Sequence, residues 1–296
     1  MGFQLIDRVA VEDEGEGPVV VCVHGLGGSS NTWAPLMPTL ARHRVVRVDL
    51  PGSGRSQRVE GALSIERYVD VLLAVCARLD ITRAHWLGHS MGTIVVQHIA
   101  AAHPGATASV ALFGPLIAPS DAARVSMQAR AAKAREGAAG IHEITQALLN
   151  AAVSADTRQR LPVAVAFVRE SLMRQDGDAY ARSCEALAGA QAAAVDRITA
   201  PVLLVTGDED GVAPPLAVRA MAARMHGARS TRVVVLPRCG HWTPVERPEE
   251  CQRELREFLA TNARSEPTAR PPEGGFAPQE PRRGPSEASG DWRAST

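Results

Sequence analysis

The sequence has no excess of charge of either sign and no long apolar run. Its 296 residues include 32 Lys and Arg residues and 32 Asp and Glu residues, so the formal net charge is zero. A balanced chain has no general attraction for nucleic acid or an anionic membrane, and we expect neither as a partner. A membrane-spanning helix needs about 20 apolar residues in a row, and no apolar segment of the sequence approaches that length. The first residues, Met1 to Arg8, do not have the basic and then apolar pattern of a secretion signal.

Cysteine pairs that could form a disulfide framework or a zinc site are also missing. The five cysteines are odd in number and widely spaced, without a Cys-x-x-Cys pair; they are Cys22, Cys76, Cys184, Cys239 and Cys251. This pattern is typical of a reducing cytoplasm, which is the location we expect. His142-Glu-Ile-Thr-Gln146 lacks the second histidine of the His-Glu-x-x-His zinc motif. The sequence therefore predicts no metal and no cofactor.

Strand patterns and helix patterns alternate in the first part of the chain. Residues 3–11 partly alternate between polar and apolar side chains, which predicts an edge strand. Buried strand patterns follow at 19–23, 44–50, 84–88 and 108–113, with helix patterns between most of them. Alternation of this kind predicts a parallel sheet with helices on both faces.

The pattern changes between residues 115 and 196. This segment is rich in Ala and Arg, has no convincing strand pattern and favours helices. Strand patterns return at 201–206 and 232–236, so we expect a helical cap over the carboxyl ends of the strands, where such sheets bind ligands. The predicted division is a core of 1–114 and 197–263, a cap of 115–196, and a disordered tail of 264–296 with little apolar content.

The run Gly88-His-Ser-Met-Gly92 follows a predicted strand and precedes a predicted helix. This is the Gly-x-Ser-x-Gly pattern in the setting that a nucleophilic serine requires, because a sharp turn exposes the hydroxyl at the edge of the sheet. We expect glycine at both ends because a side chain there would collide with the neighbouring strand or helix. The sequence therefore makes Ser90 the candidate nucleophile, and an ordinary strand–helix loop is the alternative.

Two later strands end in loops that offer a base and an acid for Ser90. The strand at 201–206 is followed by Asp208, Glu209 and Asp210, and the strand at 232–236 is followed by His241. Parallel strands place these loops at the edge where Ser90 is expected. The order Ser, acid, His is that of the α/β-hydrolase fold. The order alone leaves the choice among the three acids open.

The Gly-rich loop after the strand at 19–23 is the expected source of one of two backbone donors for an oxyanion hole. Leu26 would provide one N–H, and Met91, which follows the nucleophile, would provide the other. The alternative is a dinucleotide fingerprint, because the loop precedes Asp49 by about twenty residues. Ser30 stands where that fingerprint has Gly or Ala, and a nucleotide site explains neither Ser90 nor His241.

Together these motifs make the chain resemble the α/β-hydrolase superfamily over residues 19–114 and 200–260. The resemblance rests on His24-Gly-Leu-Gly-Gly28, Asp49-Leu-Pro-Gly-Ser-Gly-Arg-Ser56, Gly88-His-Ser-Met-Gly92, Gly207-Asp-Glu-Asp-Gly-Val-Ala-Pro214, Gly240-His-Trp242 and Glu246-Arg-Pro248. It implies the α/β-hydrolase fold, a mostly parallel sheet flanked by helices, with a helical cap insertion. In the family the acid is the Asp of a Gly-x-x-Asp-x-x-x-Pro loop, here Asp210. The resemblance therefore implies a triad of Ser90, Asp210 and His241.

The residue at the nucleophile position narrows the reaction that the resemblance implies. Haloalkane dehalogenases and epoxide hydrolases of the superfamily use Asp there, whereas this chain has Ser90. The sequence is similar to 3-oxoadipate enol-lactonases and their carboxylesterase relatives, which implies hydrolysis of a small carboxylic ester or lactone through an acyl-enzyme. The alternative is hydrolysis of a C–C bond in aromatic ring-cleavage products. Enzymes of that kind usually have Asn where this chain has His89.

The substrate pocket is the least defined part of the sequence. Trp33 and Trp242 flank the predicted site and are candidates for the pocket wall, with core packing as the alternative for both. A different class of function is also open, because a fold does not determine an activity. That alternative is a non-catalytic ligand-binding protein on the same fold.

Overall fold

The computed structural model describes residues 2–56 and 61–263; the predicted tail at 264–296 lies outside the described residues. The strands are β1 (Phe3–Ile6), β2 (Val9–Glu14), β3 (Val19–Val23), β4 (Arg44–Val48), β5 (Ala84–His89), β6 (Thr107–Phe113), β7 (Val202–Gly207) and β8 (Thr231–Leu236). The α-helices are α1 (Ile65–Arg78), α2 (Met91–Ala102), α3 (Asp121–Ala134), α4 (Ala138–Ala151), α5 (Ala155–Arg160), α6 (Pro162–Met173), α7 (Gly177–Gly189), α8 (Pro215–Arg224), α9 (Thr243–Glu246) and α10 (Pro248–Ala263). 3₁₀ helices run over Ser30–Leu40, Pro104–Ala106 and Val195–Arg197.

The strands form one sheet with the order β1-β2-β4-β3-β5-β6-β7-β8. Neighbours from β4 to β8 are parallel, and β2 is antiparallel to both β1 and β4. The predicted mostly parallel sheet is therefore confirmed. The chain passes from β3 to β4 on one side and then returns to β5 on the other. Ligands of such sheets bind outside the carboxyl ends of the strands at this kind of reversal.

The single edge strand predicted at 3–11 is wrong, because the segment folds back on itself as the hairpin of β1 and β2. Ile6 pairs with Val9, and the two residues between them, Asp7 and Arg8, have φ of 47° and 69°. Two central residues with positive φ make the tight type I′ turn, which usually has a sequence such as Asn-Gly or Asp-Gly. Asp-Arg does not have that signal, so the alternating pattern hid the reversal.

Both faces of the sheet are covered, as the continuous apolar strand patterns predict. Val21 and Val23 of β3 point into a core cluster shared with α1 and α2. Val20 and Cys22 of the same strand point into a second cluster, shared with the 3₁₀ helix over Ser30–Leu40 and with α10. The sheet therefore lies between two apolar layers, and its carboxyl edge is where polar loops can meet.

The chain between β6 and β7 forms helices α3 to α7. Their apolar side chains make a third core cluster, which includes Ile141, Val168 and Tyr180 and also takes in Trp242 and Val245 from the segment after β8. The helices of this insertion therefore pack directly on the loop that contains His241. Among the described residues, no helix is both long and apolar enough to cross a membrane.

Helix α2 begins so close to β3 that only glycine fits at position 92. A Cβ on Gly92 would lie 2.3 Å from the carbonyl oxygen of Val23 and 2.6 Å from that of His24. Because both atoms belong to the backbone of the sheet edge, neither can yield without moving a strand. We expect Gly92→Ala to lower the free energy of unfolding by about 3 kcal/mol, measured by urea denaturation.

Gly105 is the matched control for this substitution. A Cβ there would meet nothing within 4 Å, so Gly105→Ala should change the free energy of unfolding by less than about 0.5 kcal/mol. Equal effects of the two substitutions would show that the close approach is not the reason for glycine at position 92.

Candidate active site

Ser90 lies on the sharp turn between β5 and α2. Its φ is 51°, a conformation that residues other than glycine rarely adopt and that stores strain. Two hydrogen bonds fix the turn: Ser90 N–H donates to the Phe113 carbonyl at 3.0 Å, and the Thr93 hydroxyl donates to the Ser90 carbonyl at 2.6 Å. Gly88 is also required, since a Cβ there would lie 2.8 Å from the Gly92 carbonyl oxygen. These contacts hold the serine at the carboxyl edge of the sheet.

The side chains of Ser90, His241 and Asp210 form a continuous chain of hydrogen bonds. His241 Nε2 lies 2.8 Å from Ser90 Oγ, and His241 Nδ1 lies 2.8 Å from Asp210 Oδ2. Their exposed fractions are 9% for Ser90, 6% for His241 and 2% for Asp210. A carboxylate opposite Nδ1 favours the tautomer with its proton there, which leaves Nε2 as the acceptor for the serine proton. This is the geometry that activation of a serine hydroxyl by a base requires.

The carboxylate of Asp210 is fixed by its own loop. Its Oδ1 accepts the N–H groups of Val212 at 2.8 Å and Ala213 at 2.7 Å, and the Thr206 hydroxyl lies 3.3 Å from Oδ2. Burial acts to raise the pKa of Asp210, but the facing His241 and the N–H donors outweigh it, and the net pKa lies below its ordinary value. Asp210 is therefore ionised at neutral pH.

The other two acids of the same loop serve different contacts. Asp208 Oδ1 accepts the N–H of Cys239 at 3.0 Å, and Glu209 Oε2 accepts the N–H of Ala155 at 2.8 Å. Both residues are exposed. Geometry thus places Asp210, and neither of its neighbours, against the imidazole.

Glu246 organises the loop that contains His241, a role that the sequence patterns did not predict. Its carboxylate is buried and accepts three backbone N–H groups: from Ser154 at 2.9 Å, from Gly240 at 3.1 Å and from Trp242 at 3.0 Å. The residues on both sides of His241 are thereby fixed to one side chain. The run Glu246-Arg-Pro248 was part of the family resemblance, but only the fold shows what the acid binds.

Two further contacts hold the backbone of His241 itself. Its N–H donates to the carbonyl of Ala152 in the insertion at 2.9 Å, and its carbonyl lies 3.0 Å from His89 Nε2. The His89 ring lies close to the rings of both His241 and Trp242, with centroid distances of 5.4 Å and 5.3 Å. Burial, and then the neighbouring His241, lowers the pKa of His89 to about 3, so it is a neutral donor here.

The Gly-rich loop after β3 forms a tight turn over residues 25–28. Gly28 N–H donates to the Gly25 carbonyl at 3.0 Å, and Gly27, at the third position, has a φ of 74°. A positive φ at that position is the mark of a type II turn and explains the glycine. Leu26 occupies the second position and is half-buried.

The turn lies directly against the nucleophile. A Cβ on Gly25 would be 2.7 Å from Ser90 Cβ, so the segment leading to Leu26 passes beside the serine. Met91 is the first residue of α2, and the first N–H groups of a helix have no acceptor within the helix. The two predicted oxyanion donors thus belong to segments that adjoin Ser90.

His24 anchors the turn to the core. Its Nδ1 lies 2.8 Å from the Gly25 carbonyl oxygen, and its Nε2 accepts the N–H of Leu50 at 2.9 Å. Burial lowers the pKa of His24 below its ordinary value, so the ring is neutral with the proton on Nδ1.

The side chain of Asp49 is already used within the protein. Oδ1 accepts the Ser30 N–H at 2.7 Å, and Oδ2 accepts the backbone N–H and Nε–H of Arg55 at 2.9 Å and 2.8 Å. A dinucleotide site would need this acid for a ribose hydroxyl. The structure instead uses it to fix the start of the 3₁₀ helix, which argues against the dinucleotide alternative.

The two tryptophans proposed for the pocket wall differ in position. Trp33 is fully buried in the core between the sheet and α10, edge-on to Phe113 at 5.8 Å. Because that cluster is a packed apolar layer, the structure assigns Trp33 to the core and corrects its placement in the wall. Trp242 packs among the side chains of the insertion and against the ring of His89.

The described cysteines are buried and unpaired. Burial raises the pKa of the Cys239 thiol far above its ordinary value, so this neighbour of His241 is not a reactive thiolate. Within residues 2–56 and 61–263, no group of three or more His, Cys, Asp or Glu side chains is placed to bind a metal ion.

A serine on the turn after β5, with an acid after β7 and a histidine after β8, is the arrangement of the α/β-hydrolase fold. A family model described as alpha/beta hydrolase fold matches residues 18–248. The chain belongs to this family, and the predicted superfamily membership is confirmed. It is a hydrolase of the α/β-hydrolase superfamily.

The similar proteins include curated and structurally characterised relatives. The chain is 28% identical over 270 residues to the dihydrolipoyllysine-residue acetyltransferase component of the acetoin cleaving system of Pseudomonas putida, covering 88% of this chain and 68% of the other. A thermophilic esterase from Thermogutta terrifontis superposes with a TM-score of 0.80 at 25% identity, covering 86% and 93% of the two chains. The enol-lactonase from Burkholderia xenovorans LB400 gives 0.78 at 29% identity, covering 87% and 99%.

Replacing Glu246 by its amide tests its part in holding the His241 loop. In Glu246→Gln an NH₂ group replaces one of the two oxygens that accept N–H donors, so at least one buried donor loses its partner. We expect the free energy of unfolding to fall by about 1–3 kcal/mol, measured by urea denaturation. Glu249→Gln, at an exposed position in the first turn of α10, is the control and should cost less than about 1 kcal/mol.

Proposed function

We propose that the protein hydrolyses a small carboxylic ester or lactone without a cofactor, with Ser90 as nucleophile, His241 as base and Asp210 as the acid that orients it. The observation that carries the proposal is the unbroken hydrogen-bonded series Ser90–His241–Asp210 on a strained turn. Strain is stored where the surrounding structure maintains it, and such sites are often functional. A purely structural serine would not need this backbone conformation.

The reaction begins with attack of Ser90 Oγ on the carbonyl carbon, while its proton moves to His241 Nε2. The negative charge that forms on the carbonyl oxygen is stabilised by the N–H groups of Leu26 and Met91. The C–O bond to the leaving group then breaks, and the leaving oxygen takes the proton from His241. This leaves an acyl group on Ser90.

The acyl-enzyme is cleaved by the reverse sequence with water. His241 takes a proton from the water, whose oxygen attacks the acyl carbon, and the second tetrahedral species releases Ser90 with that proton and a carboxylic acid. Asp210 remains ionised throughout, because it stabilises the imidazolium and does not receive the proton. One water is consumed and one acid and one alcohol are formed; a lactone gives both groups in one molecule.

Similarity supports ester or lactone chemistry, since an esterase and an enol-lactonase superpose on this chain. At the position before the nucleophile His89 donates to the backbone of His241, so it is part of the architecture of the site. Trp242 remains our candidate for the pocket wall, and a small molecule is the proposed partner. A cytoplasmic location is proposed from the cysteine pattern.

Replacing the nucleophile is the first test. Ser90→Ala should lower kcat on p-nitrophenyl acetate or butyrate by at least about 10³-fold, because the hydroxyl that forms the acyl bond is removed. The far-ultraviolet circular dichroism spectrum should be unchanged. A fluorophosphonate should label the wild type at Ser90 and leave the variant unlabelled.

Assays of esters, lactones and a ring-cleavage dienoate, together with the fluorophosphonate labelling, separate the alternatives. Turnover of a ring-cleavage dienoate alone, with no ester or lactone hydrolysed, would replace the proposal by C–C bond hydrolysis. If the wild type shows no turnover and no labelling, that result would favour a non-catalytic ligand-binding protein. Full activity of Ser90→Ala would end the proposal.

The neighbouring acids offer a matched pair for testing the orienting role. Asp210→Asn should lower kcat by about 10³–10⁴-fold, because an amide opposite Nδ1 favours the wrong imidazole tautomer. Asp208→Asn keeps an oxygen for the Cys239 N–H and should leave kcat within about threefold of wild type. Equal kcat values for the two variants at saturating substrate would refute the assignment of Asp210.

A further inference from the structure

The oxyanion turn over residues 25–28 is held from the insertion as well as from the core. The Gly27 carbonyl accepts the Ser171 hydroxyl at 2.7 Å and the Gln175 side-chain amide at 3.2 Å. Ser171 lies on α6, and Gln175 lies between α6 and α7. Two side chains from the helical insertion thus converge on one carbonyl of the core.

Helical side chains also enclose the turn by direct packing. A Cβ on Gly27 would lie 2.5 Å from Leu172 Cδ2 and 3.3 Å from Tyr180 Cε2. Ser171 and Gln175 are buried, so their bonds to the Gly27 carbonyl are shielded from water. A hydrogen bond in such surroundings fixes an orientation more firmly than one in contact with solvent.

The amide of Gln175 is oriented for donation. Its Nε2 also donates to the Ser171 carbonyl at 2.7 Å, and among the described residues its buried Oε1 has no hydrogen-bond partner. Reversing the amide would place Oε1 against two carbonyl oxygens. A buried oxygen without a partner costs free energy, so the position is occupied for the sake of its NH₂ group.

The place of Gly27 in the turn makes these bonds relevant to the chemistry. The core fixes the carbonyl before Leu26, through His24 and the Gly25 oxygen. Ser171 and Gln175 fix the Gly27 carbonyl, which shares a peptide plane with the Gly28 N–H that donates to the Gly25 oxygen. The Gly25 carbonyl in turn shares a rigid peptide plane with the Leu26 N–H, so the bond from Gly28 transmits the orientation of the Gly27 peptide to this donor.

We propose that Ser171 and Gln175 are positioning residues for the oxyanion hole, which orient the Leu26 N–H by holding the Gly27 carbonyl. The proposal rests on the function given above. It makes the helical insertion a part of the catalytic apparatus, because the donor is aimed correctly only while α6 is in place. Misplacing a catalytic group by about 1 Å can cost about 10²-fold in rate.

The test compares Ser171→Ala, Gln175→Met and the double variant with wild type on p-nitrophenyl butyrate. We expect kcat to fall about tenfold in each single variant and about 10²-fold in the double variant, with KM within about threefold. The charge that Leu26 stabilises exists only in the transition state, so kcat is the parameter that should change. Gln175→Met keeps the length of the side chain and removes the donor.

A second readout separates positioning from general damage to the fold. Phenylboronic acid forms a tetrahedral adduct with a nucleophilic serine, and its inhibition constant should rise in parallel with the loss of kcat. Butyrate, a planar product, should bind with unchanged affinity. Thr145→Val is the control: it removes a buried hydroxyl in α4 that donates to Ile141 within its own helix, and both readouts should remain at wild-type values.

The outcomes distinguish failure of this proposal from failure of the proposed function on which it rests. If wild type turns over the ester and binds the boronic acid while the double variant matches it in both, the positioning role is refuted and the function stands. A fall in kcat without any change in boronic acid binding also refutes it. If wild type shows neither turnover nor boronic acid binding, the proposed function itself fails.

Discussion

The turn at Ser90 is the constraint on which the rest of the site depends. The turn on which Ser90 has a φ of 51° brings α2 into contact with β3 and leaves room only for glycine at positions 88 and 92. The helix can come so close at the carboxyl edge of the sheet because position 92 has no side chain to meet the carbonyl oxygens of Val23 and His24. The same edge receives the loops after β7 and β8, so the backbone strain and the meeting of Ser90 with His241, 151 residues later, follow from one arrangement.

Residues that directly follow a strand could be predicted from the sequence. Because the ends of parallel strands lie side by side, predicting Ser90 and His241 required only a strand pattern followed by a loop for each. The prediction of Asp210 required more than topology. Three acids share its loop, and the choice among them rested on family resemblance. In the structure Asp210 faces His241, whereas Asp208 and Glu209 bind backbone N–H groups elsewhere.

Contacts between distant segments could not be predicted, because they leave no periodic trace. Glu246 belonged to a motif of the family resemblance and Gln175 to a polar stretch, but neither pattern indicates a bonding partner, and only the folded chain brings them to backbone groups of the site. Trp33 was misplaced for a related reason: closeness in sequence to the Gly-rich loop does not tell which face of the sheet a ring covers. The hairpin at Asp7 and Arg8 was missed because its turn lacks glycine.

The segment joining α4 to α5 has a consequence for the engineering of this enzyme. Ala152 accepts the His241 N–H, Ser154 donates to Glu246, and Ala155 donates to Glu209. A short piece of the insertion thus bonds to the acid loop and to the histidine loop at once. Grafting the insertion of a relative onto this core would fail as a simple exchange of modules, because the transplanted backbone would have to reproduce these bonds in register. Substrate range can be altered without disturbing these bonds only in the parts of α3 to α7 that lie away from Ala152, Ser154 and Ala155.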